Sequence, residues 1–474
     1  MIVAEQNKSE ESSNDKDKTN SIIITEEFYK NCRENQYNIN DYASLIKNIK
    51  GNKPLIQFKG LVGMSILSNE EKKKNEPKKM FNILINNLFS FIMDYSEEFQ
   101  YESLKCLINL EKINIKLDEK IKGKPSEILL DSILSRITKA KDIKINVLNN
   151  ILKYIDIILN DNDILQTMIS KNLREIITNI LKDFNNEPNI IKNSLKILCK
   201  VYDNKIVSIE TIKNSVDMVP LIDDIFNKYQ DQIKLLIYSL NFLYQLTYKG
   251  DEIILNKIIS LNMVQKIIQF IDHDNEDIVF YSLKIIGNFA MKEDSFFTQK
   301  IIEFNALDGL KKTLSQDYKE NIRIESSFTI SNIAAGTQEQ ITLLYQNNFD
   351  ELLIDIINNE EESKIKTNCL WALYNFSCIK NGQYLEELIQ KGLMKIIIGR
   401  FKKDEGDILS CSFEALDNLL KYEKQIGNPA ISNVIRNEID NLDIYNELKN
   451  TKENIVDQTG LQKLNALLNN YFGE

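Results

Sequence analysis

The sequence is short of most of what side-chain catalysis uses. It has one histidine, His273, in 474 residues. That excludes a His-based triad or dyad and a His-ligated metal cluster. No GxxxxGK[ST], GxGxxG or HExxH pattern occurs, so no phosphate cradle or zincin site is expected. The six cysteines (32, 106, 199, 369, 378 and 411) form no CxxC pair and read as small buried apolar side chains in a reducing compartment. Prolines number six, at 54, 77, 125, 188, 220 and 429, far below the usual rate of roughly 5%. No stretch approaches the roughly 18 consecutive apolar residues that span a bilayer. The opening Met1-Ile2-Val3-Ala4-Glu5 lacks the charged start of a secretory signal. The expectation is a soluble intracellular chain with no catalysis, no cofactor, no metal and no membrane contact. The excess of 69 acids over 59 bases, a net charge of −10, argues against nucleic acid as a partner.

What is present is helix. Few prolines beside abundant Leu, Ile, Lys, Glu and Asn predict a nearly all-helical chain. Hydrophobic residues make up 43% of 474, too long a chain for one core, because single cores stop growing at roughly 250–300 residues. A stack of repeats escapes that limit.

The repeat appears on alignment of YSLKIIGNFA (281–290), IESSFTISNIAAGT (324–337) and KTNCLWALYNFS (366–377). Asn288, Asn332 and Asn375 fall in one slot, 44 and 43 residues apart, and 43 more reach Asn418. Backwards, the slot holds Gln245, Lys200, Lys153 and Asn109 in steps of 43, 45, 47 and 44. A period of about 40–47 residues is the HEAT and armadillo signature. In repeat eight, residues 339–346 read as a first helix, Glu351–Asn358 as a second opened by Asp350, and 363–377 as a third. Ile365, Cys369, Ala372 and Phe376 form an apolar stripe along the third. Other third helices are expected near 101–111, 190–202, 278–290 and 322–335. The expected fold is all-α, a right-handed armadillo superhelical solenoid of about ten three-helix repeats over residues 37–474. Residues 1–36 are expected to be a disordered polar arm, with too little apolar surface to fold alone.

The other stripe of each third helix is the candidate binding face, since positions three and four apart share a face. Its trios include Glu102-Lys105-Asn109, Asn146-Asn149-Lys153, Asn193-Lys196-Lys200 and Tyr238-Asn241-Gln245. They continue with Tyr281-Lys284-Asn288, Glu325-Phe328-Asn332, Asn368-Trp371-Asn375 and Cys411-Glu414-Asn418. An Asn amide both donates and accepts, so a ladder of Asn can hold an extended peptide by its main chain. Aromatic faces between the rungs suit Lys or Arg stems, and a carboxylate one turn away selects positive charge. Lys284, Asn288, Glu325, Phe328, Asn332, Trp371, Asn375 and Asn418 are the predicted peptide-binding set. Trp371, the single tryptophan, reads as a binding aromatic or as a ring tucked between repeats. The run EEKKKNEPKK (70–79) reads as a solvated loop or as a localisation signal.

FTISNIAAGTQEQI (328–341) and WALYNFS (371–377) resemble the Trp-x-x-x-Asn third-helix motif of the importin-alpha family. FQYESLKCLINL (99–110), ALDNLLKYEKQ (415–425) and LNNYFGE (468–474) are similar to other parts of that family. The resemblance runs over roughly residues 39–474. It implies a monomeric adaptor, shared between cytoplasm and nucleus, that binds basic cargo peptides at a front site on repeats two to four and a second site on repeats six to eight. It also implies an importin-beta-type carrier. The front site departs from the family: Glu102, Lys105, Asn109, Asn149, Lys153, Lys196 and Lys200 form a degenerate groove whose four lysines are expected to repel a basic signal. Residues 1–36 carry no basic cluster for the carrier. The alternative is an armadillo scaffold in the cytoplasm without a transport role.

Overall fold

The computed structural model describes residues 24, 26–37, 41–68, 87–88, 90–92, 96–114, 127–203, 207–250, 252–403, 405–425, 429–452, 455 and 458–473. Among them every regular element is helical. The run at 70–79 and residues 1–23 lie outside the described residues. The chain divides into two compact units, residues 1–206 and 207–474.

The first unit contains α1 (Glu26–Glu34), α2 (Tyr42–Ile49), α3 (Pro54–Leu67), α4 (Glu97–Asn114) and α5 (Glu127–Ile137). It continues with α6 (Ile145–Ile158), α7 (Asn162–Ser170), α8 (Leu173–Asp183) and α9 (Pro188–Asp203). Pro54 opens α3 and Pro188 opens α9, positions where a missing N–H leaves no helical bond unmade. The long helices α3, α4, α6 and α9 pack each on the next. Helix α1 corrects the expectation of a wholly disordered arm over 1–36: it packs on α3, with Cys32 buried and the Tyr29 ring 5.8 Å from Phe58.

The second unit begins with α10 (Ile209–Lys213), α11 (Met218–Lys228) and α12 (Ile233–Lys249), then α13 (Glu252–Ser260), α14 (Met263–Gln269) and α15 (Glu276–Ala290). The triplet recurs as α16 (Ser295–Glu303), α17 (Ala306–Thr313), α18 (Glu320–Ala334), and as α19 (Gln338–Gln346), α20 (Phe349–Asn359), α21 (Lys364–Phe376). It recurs again as α22 (Gly382–Gln390), α23 (Leu393–Arg400), α24 (Gly406–Gln425). Helices α25 (Pro429–Asn441), α26 (Ile444–Lys452) and α27 (Gln458–Leu467) follow. The third members α12, α15, α18, α21, α24 and α27 pack in series. Two shorter helices and a long third per unit is the armadillo plan, in contrast to two-helix arrays.

Local chemistry sets the boundaries. The corner between first and second helices demands a left-handed residue, supplied by Asn172, Asn262, Asn305 and Asn348 at φ of 64°, 55°, 68° and 58°. Asn tolerates that region better than most side chains. In the following repeat Gly392 takes the corner at φ 99°. Thr337 starts α19 with a reciprocal capping box to Gln340, and Ser363 caps α21 through the Lys366 amide. Each cap satisfies amides the first helical turn leaves unpaired. Helix α20 starts two residues earlier than expected. Asp350 is therefore inside its first turn, 1% exposed and 2.7 Å from the Lys391 ammonium. The stripe Ile365, Cys369, Ala372 and Phe376 is buried as the periodicity demands.

Candidate peptide-binding groove

In the second unit, the third helices α12, α15 and α18 enclose a cavity of about 290 Å³. Four predicted residues line it together: Lys284, Asn288, Glu325 and Phe328. Tyr244 and Tyr248 of α12 also line it. These two were missed because the trio rule stopped at Gln245. Their signal was the same spacing carried one step further, Asn241-Tyr244-Tyr248 along one face.

Lys284 is already engaged within the chain. Its ammonium is 3.2 Å from the Glu325 carboxylate, 4.7 Å from the centre of the Tyr244 ring and 5.1 Å from that of Phe280. Burial pushes the Tyr244 phenol up, and the Lys284 charge opposes that rise. The carboxylate-and-aromatic arrangement expected to receive a cation thus holds one from its own helix array.

The Asn ladder is likewise divided between packing and surface. Asn288 donates to Thr247 Oγ1 at 2.8 Å, Asn418 to Ser377 Oγ at 3.2 Å and Asn109 to Ser68 Oγ at 3.4 Å. Each acceptor lies 41 residues earlier, at the end of the preceding third helix. For Asn332 that slot holds Met291, and for Asn375 it holds Ala334. Neither has a hydroxyl. The Asn332 side-chain nitrogen is accordingly buried with no hydrogen-bond partner. An unpaired buried donor is costly, roughly 1–3 kcal/mol. Trp371, on α21, is half-buried, as is Asn375 one turn on. Asn368, placed in the sequence on the same face, is instead 8% exposed and donates to Ser327 Oγ at 3.0 Å. Asn368 therefore belongs to the packing between helices rather than to the groove surface.

The front trios, in the first unit, differ more from expectation. Glu102 is fully buried, so it presents no groove surface. It holds Arg33 of α1 at 3.0 Å, accepts from the Tyr29 hydroxyl and lies 3.7 Å from Lys105. Lys105 also sits 4.5 Å from the Tyr101 ring centre. Asp156 pairs with Lys200 at 2.7 Å and with Lys196 at 3.6 Å. Lys153 donates to Asn150 at 3.4 Å, and Asn149 accepts from Asn193 at 2.7 Å. Lys105, Lys196 and Lys200 are therefore partly neutralised by Glu102 and Asp156. Asp156 lies three residues beyond Lys153, outside the trio positions, which is why it was overlooked.

His273 lies in the turn before α15, its ring nitrogen Nδ1 accepting from the Asn275 amide at 2.8 Å. Among the described residues no group of three His, Cys, Asp or Glu side chains is placed to hold a metal, and no helix is long and apolar enough to cross a membrane.

A crystallised engineered protein from the Northeast Structural Genomics Consortium shares this fold, with a TM-score of 0.70 at 14% identity over 91% of this chain and 99% of its own. A designed armadillo repeat protein in complex with the peptide (KR)4 matches 53% of this chain and 97% of its own at 21% identity, TM-score 0.44. A computationally designed armadillo repeat protein for modular peptide recognition matches 53% and 98% at 20% identity, TM-score 0.45. No protein-family model and no curated relative matches the chain. By its three-helix units the chain is an all-α armadillo-type repeat protein. Such arrays are built as binding surfaces.

Proposed function

We propose that this chain is an importin-alpha-like adaptor, holding basic nuclear localisation signals of cargo proteins along α15, α18 and α21 for import into the nucleus. The observation that carries the reading is the set Tyr244, Phe280 and Glu325 around an ammonium, which is the chemistry a lysine-rich peptide needs. Asn332 and Asn375 supply main-chain contacts on the next two helices, and Phe328 and Trp371 supply stacking faces. The front groove contributes little to cargo affinity in this reading. The protein would pass between cytoplasm and nucleus as a monomer, with an importin-beta-type carrier.

A second reading, an armadillo scaffold without a transport role, is favoured by one observation. Glu102, at a front-groove position, is fully buried against Arg33 and Tyr29 of α1. One experiment addresses both. Trp371→Ala with Asn375→Ala should lower the affinity for a basic localisation peptide about tenfold or more, each lost group contributing on the order of 1 kcal/mol. Equal affinity in the double variant would put the site elsewhere. If the wild-type chain captures no importin-beta-type carrier from lysate while binding the peptide, the scaffold reading replaces transport.

A further inference from the structure

A second cavity, of about 640 Å³, lies where the second helices α20 and α23 meet the first turn of α21. It shares no lining residue with the groove cavity. Its walls carry Lys366, Lys391, Lys395, Arg400 and Lys403 and no carboxylate, in a chain whose net charge is −10.

Three of the five cations are matched from outside the walls. Lys391 reaches Asp350 and Glu351 at 2.7 and 3.0 Å. Glu362 pairs with Arg400 at 2.5 Å and with Lys366 at 3.7 Å. Three carboxylates against five cations leave two, Lys395 and Lys403. Neither has a carboxylate oxygen within 4.0 Å among the described residues, although the Lys403 charge is felt at Glu362. Lys395 and Gly399 share one face of α23, four residues apart, Lys403 lies just past its end, and Lys391 stands before the left-handed corner at Gly392. Gly399, between the two unmatched lysines, has nothing within 4 Å of where a Cβ would stand. A helix-interior glycine is destabilising relative to alanine. Here it leaves depth between two ammonium groups. Arg400 and Lys366, 8% and 9% exposed, are held in place by their own partners and do not have to be ordered by a ligand.

We infer that this cleft binds a compact, multiply charged phosphate anion of the soluble polyphosphate class, gripped by Lys395 and Lys403. Ammonium groups serve phosphates as point charges. The volume falls in the usual range for ligand pockets, about 300–1,000 Å³. The lining has no aromatic ring on which a nucleobase would stack, which favours the anion over a nucleotide.

The test is calorimetric titration of the full chain with sodium tripolyphosphate in about 0.15 M salt, where the Debye length is about 8 Å. Sodium sulfate at equal ionic strength is the control. Saturable tripolyphosphate binding is expected. Lys395→Glu with Lys403→Glu should weaken it about 30-fold or more, since two charge-assisted contacts are lost and repulsion is added. Lys395→Arg with Lys403→Arg should retain it. Both lysines are exposed, so thermal midpoints without ligand should stay unchanged. Gly399→Glu, which places a carboxylate on the floor, should weaken binding independently. Absence of saturable binding, equal binding by the Glu variants, or equal competition by sulfate would each overturn the inference. Binding only to vesicles containing a phosphoinositide, and not to free tripolyphosphate, would overturn it in favour of a membrane headgroup.

Discussion

Replacing Lys284 by methionine should make the groove a better receptor for basic peptides. Lys284→Met keeps the length of the stem and removes the charge. In the native chain the ammonium has the Glu325 carboxylate at 3.2 Å and the Tyr244 and Phe280 rings at 4.7 and 5.1 Å. The two paired side chains are 21% and 20% exposed, so the pair is neither fully screened nor fully dry. A surface ion pair contributes about 0.2–1 kcal/mol. A cation over an aromatic face adds about 0.5–1 kcal/mol at such sites. A peptide cation entering this position must first displace about 1–2 kcal/mol of internal contact. Removing the competitor should therefore raise affinity roughly 5- to 30-fold, on the basis that 1.4 kcal/mol is a factor of ten. Fluorescence anisotropy with a labelled lysine-rich peptide measures this directly. Glu325→Gln in the same assay should weaken binding, because it removes the charge both cations seek. If Lys284→Met leaves affinity unchanged or lowers it, Lys284 is a peptide contact or a spacer, and the reasoning fails.

Three further outcomes follow from the packing and the titratable groups. Phe376→Ala, at a ring with no exposure between α21 and its neighbours, should cost about 3–5 kcal/mol in urea unfolding, the range for emptying a buried aromatic site; a loss below about 1 kcal/mol would mean the site collapses. Burial pushes the Cys369 thiol up to about 12, so iodoacetamide at pH 8 should spare it in the folded protein and alkylate it after denaturation. A hydrogen bond from Arg400, reinforced by its charge, holds the Glu362 carboxyl below the usual carboxylate range. The folded chain therefore binds fewer protons there than the unfolded chain. The stabilisation is complete above the ordinary carboxylate value of about 4.3 and is lost as pH falls through the lower folded value. The gap in thermal midpoint between wild type and Glu362→Gln should hold from pH 7 to 5 and narrow only below about pH 4.

Much of the helix array was legible in the linear chain. The 43- to 47-residue recurrence placed the third helices within a few residues of α4, α9, α15, α18 and α21. Periodicity is a local property: a stripe such as Ile365-Cys369-Ala372-Phe376 can bury itself only on a helix, and only against a neighbour. The grouping of Lys284, Asn288, Glu325 and Phe328 in one cavity was also legible, because equal spacing across equal repeats brings equal slots side by side. Helix α1 was less so. Its docking brings Tyr29 and Arg33 to Glu102, which lies 69 to 73 residues away.

Chain order alone could not say which members of the face stay free, since that depends on what stands opposite across the repeat boundary. Asn288 and Asn332 occupy identical slots, yet the first meets the hydroxyl of Thr247, while the slot 41 residues before the second holds Met291, which has no hydroxyl, and its amide nitrogen is unpaired. Lys284 looked like one rung among others until two rings and a carboxylate from three helices closed around it. The cationic cleft beside α23 was equally hidden, because its walls join two second helices to the first turn of a third, whereas the aligned slots belonged to third helices alone. The sequence determined the repeat, its helices and the face they share. Only the tertiary structure decided whether each charge or amide on that face was matched, because matching is a property of two helices in register and not of either one.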